Sequence, residues 1–385
     1  MLKGMETKSF FKKEIGAENF IFLALFSAFF FGVGSVMGGV NMIKTMMETG
    51  FDLLINICLY LMAVAVLAGA VSGLFSEFGT IALINKILSK LMKPLYDLPG
   101  ASSLGILNCF LSDNPAILTL ADDDNFRRYF KQYQLPALTN LGTAFGMGLI
   151  TTTAMMGLNV KSAVPAALIG NVGAIAGSIV SVRLMIYFSK KRYGTEAFVS
   201  TKSIEPIPEK MRPVREGGAG GRFIQAMLDG GKSGVSMGLA IIPGVVIICT
   251  IVIMLTNGPS ADGTYTGGAR EGIAVLPWIG QKLSFILNPM YGFSSPEAIS
   301  VPITALGSTG AALGIVKEMS FAGKINANDI AVFTAICMCW SGYISTHIAM
   351  MDALDTKEMT GKAILSHTIG GLFAGIVAHL IAFVL

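Results

Sequence analysis

The chain is poor in charge. Only 14% of its 385 residues are Asp, Glu, Lys or Arg, and 53% are hydrophobic; a soluble domain carries about 25% charged residues. That balance, with a mean hydropathy of +0.65, excludes an ordinary water-soluble fold. Cysteine is scarce: Cys58, Cys109, Cys249, Cys337 and Cys339 all sit in apolar segments. A disulfide framework is therefore not expected. Cys337 and Cys339 read as small packing residues rather than half of a metal site. Chemistry-bearing motifs are missing as well. There is no His-Glu-x-x-His and no Gly-x-Ser-x-Gly. Gly230-Gly231-Lys232-Ser233-Gly234 has the ending of a phosphate-binding loop, but Ala226 stands where the loop needs glycine and no strand precedes it. No enzyme and no cofactor are expected.

Long apolar runs are what the chain has. Stretches 18–43, 52–78, 135–158, 163–188, 233–255, 329–351 and 363–385 are each of a length to cross a bilayer. The 45 glycines suit close helix packing and broken helices. No cleavable leader is evident, because the first apolar stretch is long enough to span. The net charge of +4 is no sign of a nucleic-acid partner, since the basic residues flank the apolar segments.

A shift of 195 residues lays the chain over itself without a gap. Ile84, Leu88, Ser89, Pro94 and Tyr96 fall on Ile279, Leu283, Ser284, Pro289 and Tyr291. The register continues to Thr151, Ala154, Met155 and Met156 over Thr346, Ala349, Met350 and Met351. Internal repeats in an apolar chain are an architecture of secondary transporters, with the substrate between the repeats. The expected organisation is a segment 1–50 with an extra first span, a repeat over 51–188, a basic linker 189–222 with little fixed structure, and a repeat over 223–385.

Each repeat contains the same pieces. A long helix (52–78; 230–255) is followed by an amphipathic helix (80–95; 277–290). Then comes a segment too broken to cross twice (99–121; 296–316), and two spanning helices close the repeat. The arm Ala101–Leu111 reaches about 16 Å, roughly half the hydrocarbon core. It meets Ser112-Asp113-Asn114-Pro115 before a second apolar run; Pro296–Leu306 meets Gly307-Ser308-Thr309-Gly310. Both segments read as re-entrant helical hairpins, tolerated only where they face protein or a wet cavity. With the N-terminus in the cytoplasm and three crossings per repeat, all Lys and Arg except Lys44, Lys161, Arg270, Lys282, Lys317 and Lys324 fall inside. That obeys the positive-inside rule. The fold class is thus an all-α polytopic membrane protein of two inverted repeats, each with three spans and one hairpin.

Polar groups gather where these pieces should meet. The candidate substrate-binding residues are Asn108, Ser112, Asp113 and Asn114 in the first hairpin, and Ser308 and Thr309 in the second. Asn140, Thr151, Thr152, Ser341, Thr346 and His347 come from the helices that follow. Hydroxyls and amides bind polar solutes without the desolvation cost of fixed charges. Asp113 is the one carboxylate near mid-membrane, so it is either a functional acid, with a cation site beside it, or the cap of the hairpin turn. His367 and His379 read as structural, as do Asp52 and Asp229, which are expected to open the first helices of the two repeats, where acids are favoured.

This order of elements, with Pro94-Leu95-Tyr96 closing the amphipathic helix, resembles the Gate-domain or "nucleoside recognition" family, which includes the membrane regions of concentrative nucleoside transporters. Ser294-Ser295-Pro296-Glu297-Ala298 is loosely similar to their Glu-Ala hairpin run, although it stands here in the second hairpin. The resemblance implies an inverted-repeat transporter with paired hairpins, coupled to sodium or protons. The expected function is secondary transport of a small polar solute in the cell (inner) membrane, with self-association left open. The alternative is a scaffold or maturation protein on the same fold without transport.

Overall fold

The computed structural model describes residues 14–113, 116–117, 129–199, 214–341 and 343–383. Among the described residues, five helices are long and apolar enough to cross a membrane. The first, α1 (Ala17–Met37), stops at Gly38, whose φ of 82° breaks the run expected to continue to 43. The next helix, α2, already begins at Gly39 and runs to Glu77. At 39 residues it is about 58 Å long, well beyond the hydrocarbon core. A π-helical turn, Leu54–Cys58, interrupts it. Asp52 therefore lies inside a helix and does not open one; it is held by the Arg270 guanidinium, whose Nε donates at 2.9 Å.

The remaining elements follow in chain order. α3 is Thr80–Tyr96, α4 Ser102–Leu111, α5 Ala137–Phe145, α6 Gly148–Met156 and α7 Ala163–Tyr193. α8 spans Ala219–Thr256 with its own π turn at Val245–Cys249. Then come α9 (Val275–Lys282), α10 (Ser284–Tyr291), a 3-10 turn Pro296–Ile299, α11 (Ser300–Ala305), α12 (Thr309–Phe321), α13 (Ala327–Cys339), α14 (Tyr343–Ala353) and α15 (Thr360–Ala382). The described residues form no strand, only one bridge between Lys131 and Phe198.

Two expected spans are not continuous. The run 135–158 breaks between α5 and α6, where Met147 adopts φ 54°. A non-glycine residue in that region is uncommon and marks local strain. The run 329–351 breaks between α13 and α14, at Trp340 and Ser341. Glycines at 146 and 148 flank the first of these places.

Packing depends on small residues. α2 and α8 cross so closely that a Cβ on Gly69 would lie 2.2 Å from the Gly230 carbonyl oxygen, and one on Gly73 2.2 Å from that of Ala226. Contact moves backward along α8 as it moves forward along α2, so the two helices run antiparallel. α7 and α15 repeat the arrangement: Gly173 meets Ala374, and Gly177 meets Gly370. Close backbone approach of this kind is how helices associate when lipid removes the hydrophobic driving force. Large apolar side chains are exposed elsewhere: Phe20, Phe22, Phe26 and Phe31 on α1 and Leu67 on α2.

The linker is less free than expected. Arg215 Nη1 lies 2.7 Å from Glu77 Oε2, and Arg222 Nη1 3.3 Å from Glu77 Oε1. Arg215 also reaches Asp229, at 3.3 Å. Asp229 is thus inside α8, ten residues past its start, and pairs across to the linker instead of opening a helix. The far end of the linker ties down the end of α2, while residues 200–213 lie outside the described part.

Candidate functional site

Breaking a helix releases backbone groups, because the last carbonyls of a helix have no partner within it. In α13 those carbonyls are answered by side chains from other elements. Thr309, first residue of α12, donates its Oγ1 to the Cys337 carbonyl at 2.9 Å. His367 on α15 brings Nε2 to the Cys339 carbonyl. Trp340 Nε1 donates back to the His367 carbonyl at 3.4 Å. The break is therefore clamped between the start of α12 on one side and α15 on the other.

A buried chain of polar groups leads away from this clamp. Ser181 Oγ on α7 lies 2.8 Å from His367 Nδ1. Asn140 on α5 donates its amide to Ser181 Oγ at 2.9 Å and to the Ala363 carbonyl at 3.0 Å. His347 on α14 places its ring centroid 4.7 Å from that of His367. Its Nδ1 lies 2.6 Å from the Tyr343 carbonyl, and the Tyr343 hydroxyl bonds to Thr368. Asn140, Ser181, His347 and His367 are all essentially inaccessible to water. Four buried polar atoms in α5, α6 and α14 have no partner among the described residues: Thr139 Oγ1, Asn140 Oδ1, Thr151 Oγ1 and His347 Nε2.

The candidates named from sequence divide among several places. Asn140, Thr309 and His347 join the network around the α13–α14 break, and Ser341 sits buried within the break itself. Ser308 caps α12 by accepting from the Ala311 amide at 3.2 Å. Thr152 turns toward α7, where it bonds to Asn171 at 3.0 Å. Thr151 is buried and Thr346 half-buried. Asn108 is half-buried on α4; Ser112 is exposed and Asp113 half-buried just past it. Asn114 lies outside the described residues. His367, read as structural, belongs to this network, and so does Ser181, which the sequence reading did not name. Each lies in a largely apolar helix, and its partners are remote in sequence. The usable signal was polarity inside a span, which reads as functional by default.

Two cavities open near the helix–turn–helix segments. One, of about 230 Å³, is lined by Ser112, Ile150, Arg215, Asp229 and the Gly69–Gly73 stretch of α2. The other, of about 320 Å³, lies beside α12 and is lined by Asn257, Arg270, Glu297, Glu318 and Lys324. Arg270 bridges Asp52 on α2 and Glu318 on α12. Its neighbour Glu271 fixes the loop: its carboxylate accepts from the Thr266 and Gly267 amides, both at 3.1 Å. Burial pushes the Glu271 carboxyl up, but the Thr266 hydroxyl and these amides outweigh it and hold it below the usual range. Among the described residues no group of three His, Cys, Asp or Glu side chains could hold a metal ion.

Comparison with solved structures gives the fold. A doubly substituted CNTnw in an outward-facing state matches with a TM-score of 0.56 at 14% identity, over 94% of this chain and 84% of that one. The fold is that of a concentrative nucleoside transporter. CNTnw in an inward-facing substrate-bound state matches at a TM-score of 0.52 and 14% identity, over 95% and 85% of the two chains. A substituted CNTnw in an intermediate state matches at 0.54 and 15%, over 94% and 86%. No family model matches the chain, and no curated protein matches it. The structural neighbours are transporters rather than enzymes, in agreement with the missing enzyme motifs.

Proposed function

We propose that the chain is a secondary active transporter of a small polar solute, coupled to sodium or protons, in the cell (inner) membrane. Its two halves, 51–188 and 223–385, are inverted repeats of the Gate-domain type, each with three crossings and a re-entrant hairpin. Segment 1–50 supplies an extra span, and the N-terminus and the linker 189–222 are cytoplasmic. The solute lies between the hairpin turns and the two broken helices. Asp113, Asn108, Ser112 and Asn114 face it from one side, and Ser308, Thr309, Ser341 and Thr346 from the other, with Asn140, Thr151, Thr152 and His347 behind.

One observation carries this reading. Each half breaks a helix at the corresponding place, after Phe145 and after Cys339, and surrounds the breaks with buried polar groups lacking partners. A scaffold could fill such positions with Leu and Ala; polar groups in an apolar interior are kept at a free-energy cost. The fold also supports the reading, since its solved neighbours are caught in outward-facing and inward-facing states.

The test is a thermal-shift screen of the purified protein against nucleosides, nucleobases, amino acids, short peptides and organic acids, with sodium and potassium compared. A ligand that binds the folded state raises the melting temperature. Asp113→Asn keeps a capping side chain and removes the charge. It is expected to weaken the stabilisation by the solute at least tenfold in concentration. A protein that no solute stabilises would point to the scaffold instead.

A further inference from the structure

We propose that the coupling ion is a proton and that it is taken up at Nε2 of His347. The inference rests on the transporter reading above and deepens it. It begins with which imidazole nitrogens carry hydrogen. A neutral imidazole has one donor and one acceptor nitrogen. A carbonyl only accepts, so a nitrogen facing one must be the donor. His367 Nε2 faces the Cys339 carbonyl and so carries hydrogen, which leaves Nδ1 to accept from Ser181. Ser181 in turn accepts from Asn140. Every hydrogen in that chain is assigned, and His367 has no nitrogen left over.

His347 differs. Its Nδ1 faces the Tyr343 carbonyl and must be the donor. Its Nε2 is then a lone pair, buried and without a partner among the described residues. A buried polar atom left unpaired costs free energy and calls for an explanation. An imidazole lone pair suits a proton or a transition metal; sodium prefers oxygen ligands. The described residues offer no further side chains to complete a metal site. A solute or a hydrated ion also needs room, and Nε2 is out of reach of water in this arrangement. The proton alone needs no cavity.

The surroundings explain how proton uptake would couple to movement. On α14, Asp352 near the C-terminal end pairs with Lys357, which lies beyond the helix. α5 carries no ionisable residue. α15 presents His367 and, further on, Lys362, which lies over the Phe188 ring. Tyr343 completes the ionisable neighbours. Among these groups the one carboxylate, Asp352, is already paired with Lys357, so an added positive charge is stabilised only when the site rearranges to admit water or solute. His367 acts as a positioning residue that holds the α13–α14 break against α15.

The chain has three histidines, so the test is direct. Full-length protein labelled with 15N-histidine in lipid nanodiscs is followed by NMR, with signals assigned through His347→Gln, His367→Gln and His379→Gln. At pH 8 His347 should show the Nδ1–H tautomer and His367 the Nε2–H tautomer. Lowering the pH to 5 should replace the neutral His347 signal with the doubly protonated one, while His367 keeps its tautomer. Should His347→Gln fail to fold, the other two variants still assign His347 by elimination. A His347 that stays neutral to pH 5, or that carries its hydrogen on Nε2 at pH 8, overturns the proposal. Solutes that stabilise the protein while His347 stays neutral would leave the transporter reading standing and remove this one. A titrating His347 in a protein that binds no solute would do the reverse.

Discussion

Asp97 shows how one residue can hold several elements. It ends α3 with a φ of 57°, a conformation that Asp and Asn tolerate. Its carboxylate meets Lys93 and lies 2.6 Å from Lys190 on α7, while its carbonyl accepts from Gln134 at 2.6 Å. Burial pushes the carboxyl up, but the hydrogen bonds from Lys190 and Lys93 outweigh it and hold it below the usual range. The sign follows from linkage: the unfolded chain binds a proton that the native protein still excludes. The stabilisation is therefore complete above the unfolded value, near pH 4. It disappears as pH falls through the lowered native value. Asp97→Asn keeps the backbone conformation and loses the ion pairs. It should cost on the order of 1–2 kcal/mol at pH 7, between the values for exposed and buried pairs. Melting curves of the two proteins in detergent should differ at pH 7 and converge toward pH 3. A difference that persists at pH 3 would mean the residue acts through something other than its charge.

At the scale of elements, the crossing of α2 and α8 is the most demanding contact. Backbone meets backbone at Gly69 and Gly230, so a side chain there has no flexible neighbour to displace. Gly69→Val should separate the helices and lower stability by about 1–3 kcal/mol, the usual range for overpacking. Gly218→Val, where nothing lies within 4 Å, is the matched control and should melt like the parent. Equal melting of both variants would show that the crossing is looser than described. The sequence made much of this level legible. Its period located α3 at Thr80–Tyr96 against an expected 80–95, and the turn before Thr309 stood where glycine and serine clustered. The exact breaks were harder to read. Runs 135–158 and 329–351 have the length and apolarity of whole spans, and length is what a hydropathy argument weighs. Gly142, Gly146 and Gly148 mark the first as a helix that can loosen, but backbone conformation at Met147 and the side chains answering Cys337 and Cys339 locate the interruptions. Ser181 and His367 lie 186 positions apart, so no local pattern could join them.

For the whole molecule, the question is whether the two halves are related by inversion. α3 ends at Tyr96 and α10 at Tyr291, and α3 and α9 begin at Thr80 and Val275, so both ends keep the same spacing. The π turns, at Leu54–Cys58 and Val245–Cys249, have a shorter one, because the Asn257–Ala274 stretch lengthens only the second half. Corresponding helices also run antiparallel where they touch, α2 against α8 and α7 against α15. Two halves related by an axis along the membrane normal would place such counterparts parallel; an axis in the membrane plane turns one over. Inversion makes a sharp prediction about α3 and α9. Lys86 and Gln281 are corresponding exposed positions on these two helices. The native cysteines are buried, so background labelling is low. Lys86→Cys should react with an impermeant thiol reagent only in inside-out vesicles, and Gln281→Cys only from outside intact cells. Reaction of both from one face would defeat the inverted arrangement and with it the opposed hairpins. Reaction from opposite faces, but with Lys86→Cys outside, would keep the inversion and reverse the sidedness drawn from the basic residues. In that case the linker and its arginines would face outward, and the 320 Å³ cavity beside α12 would become the cytoplasmic one.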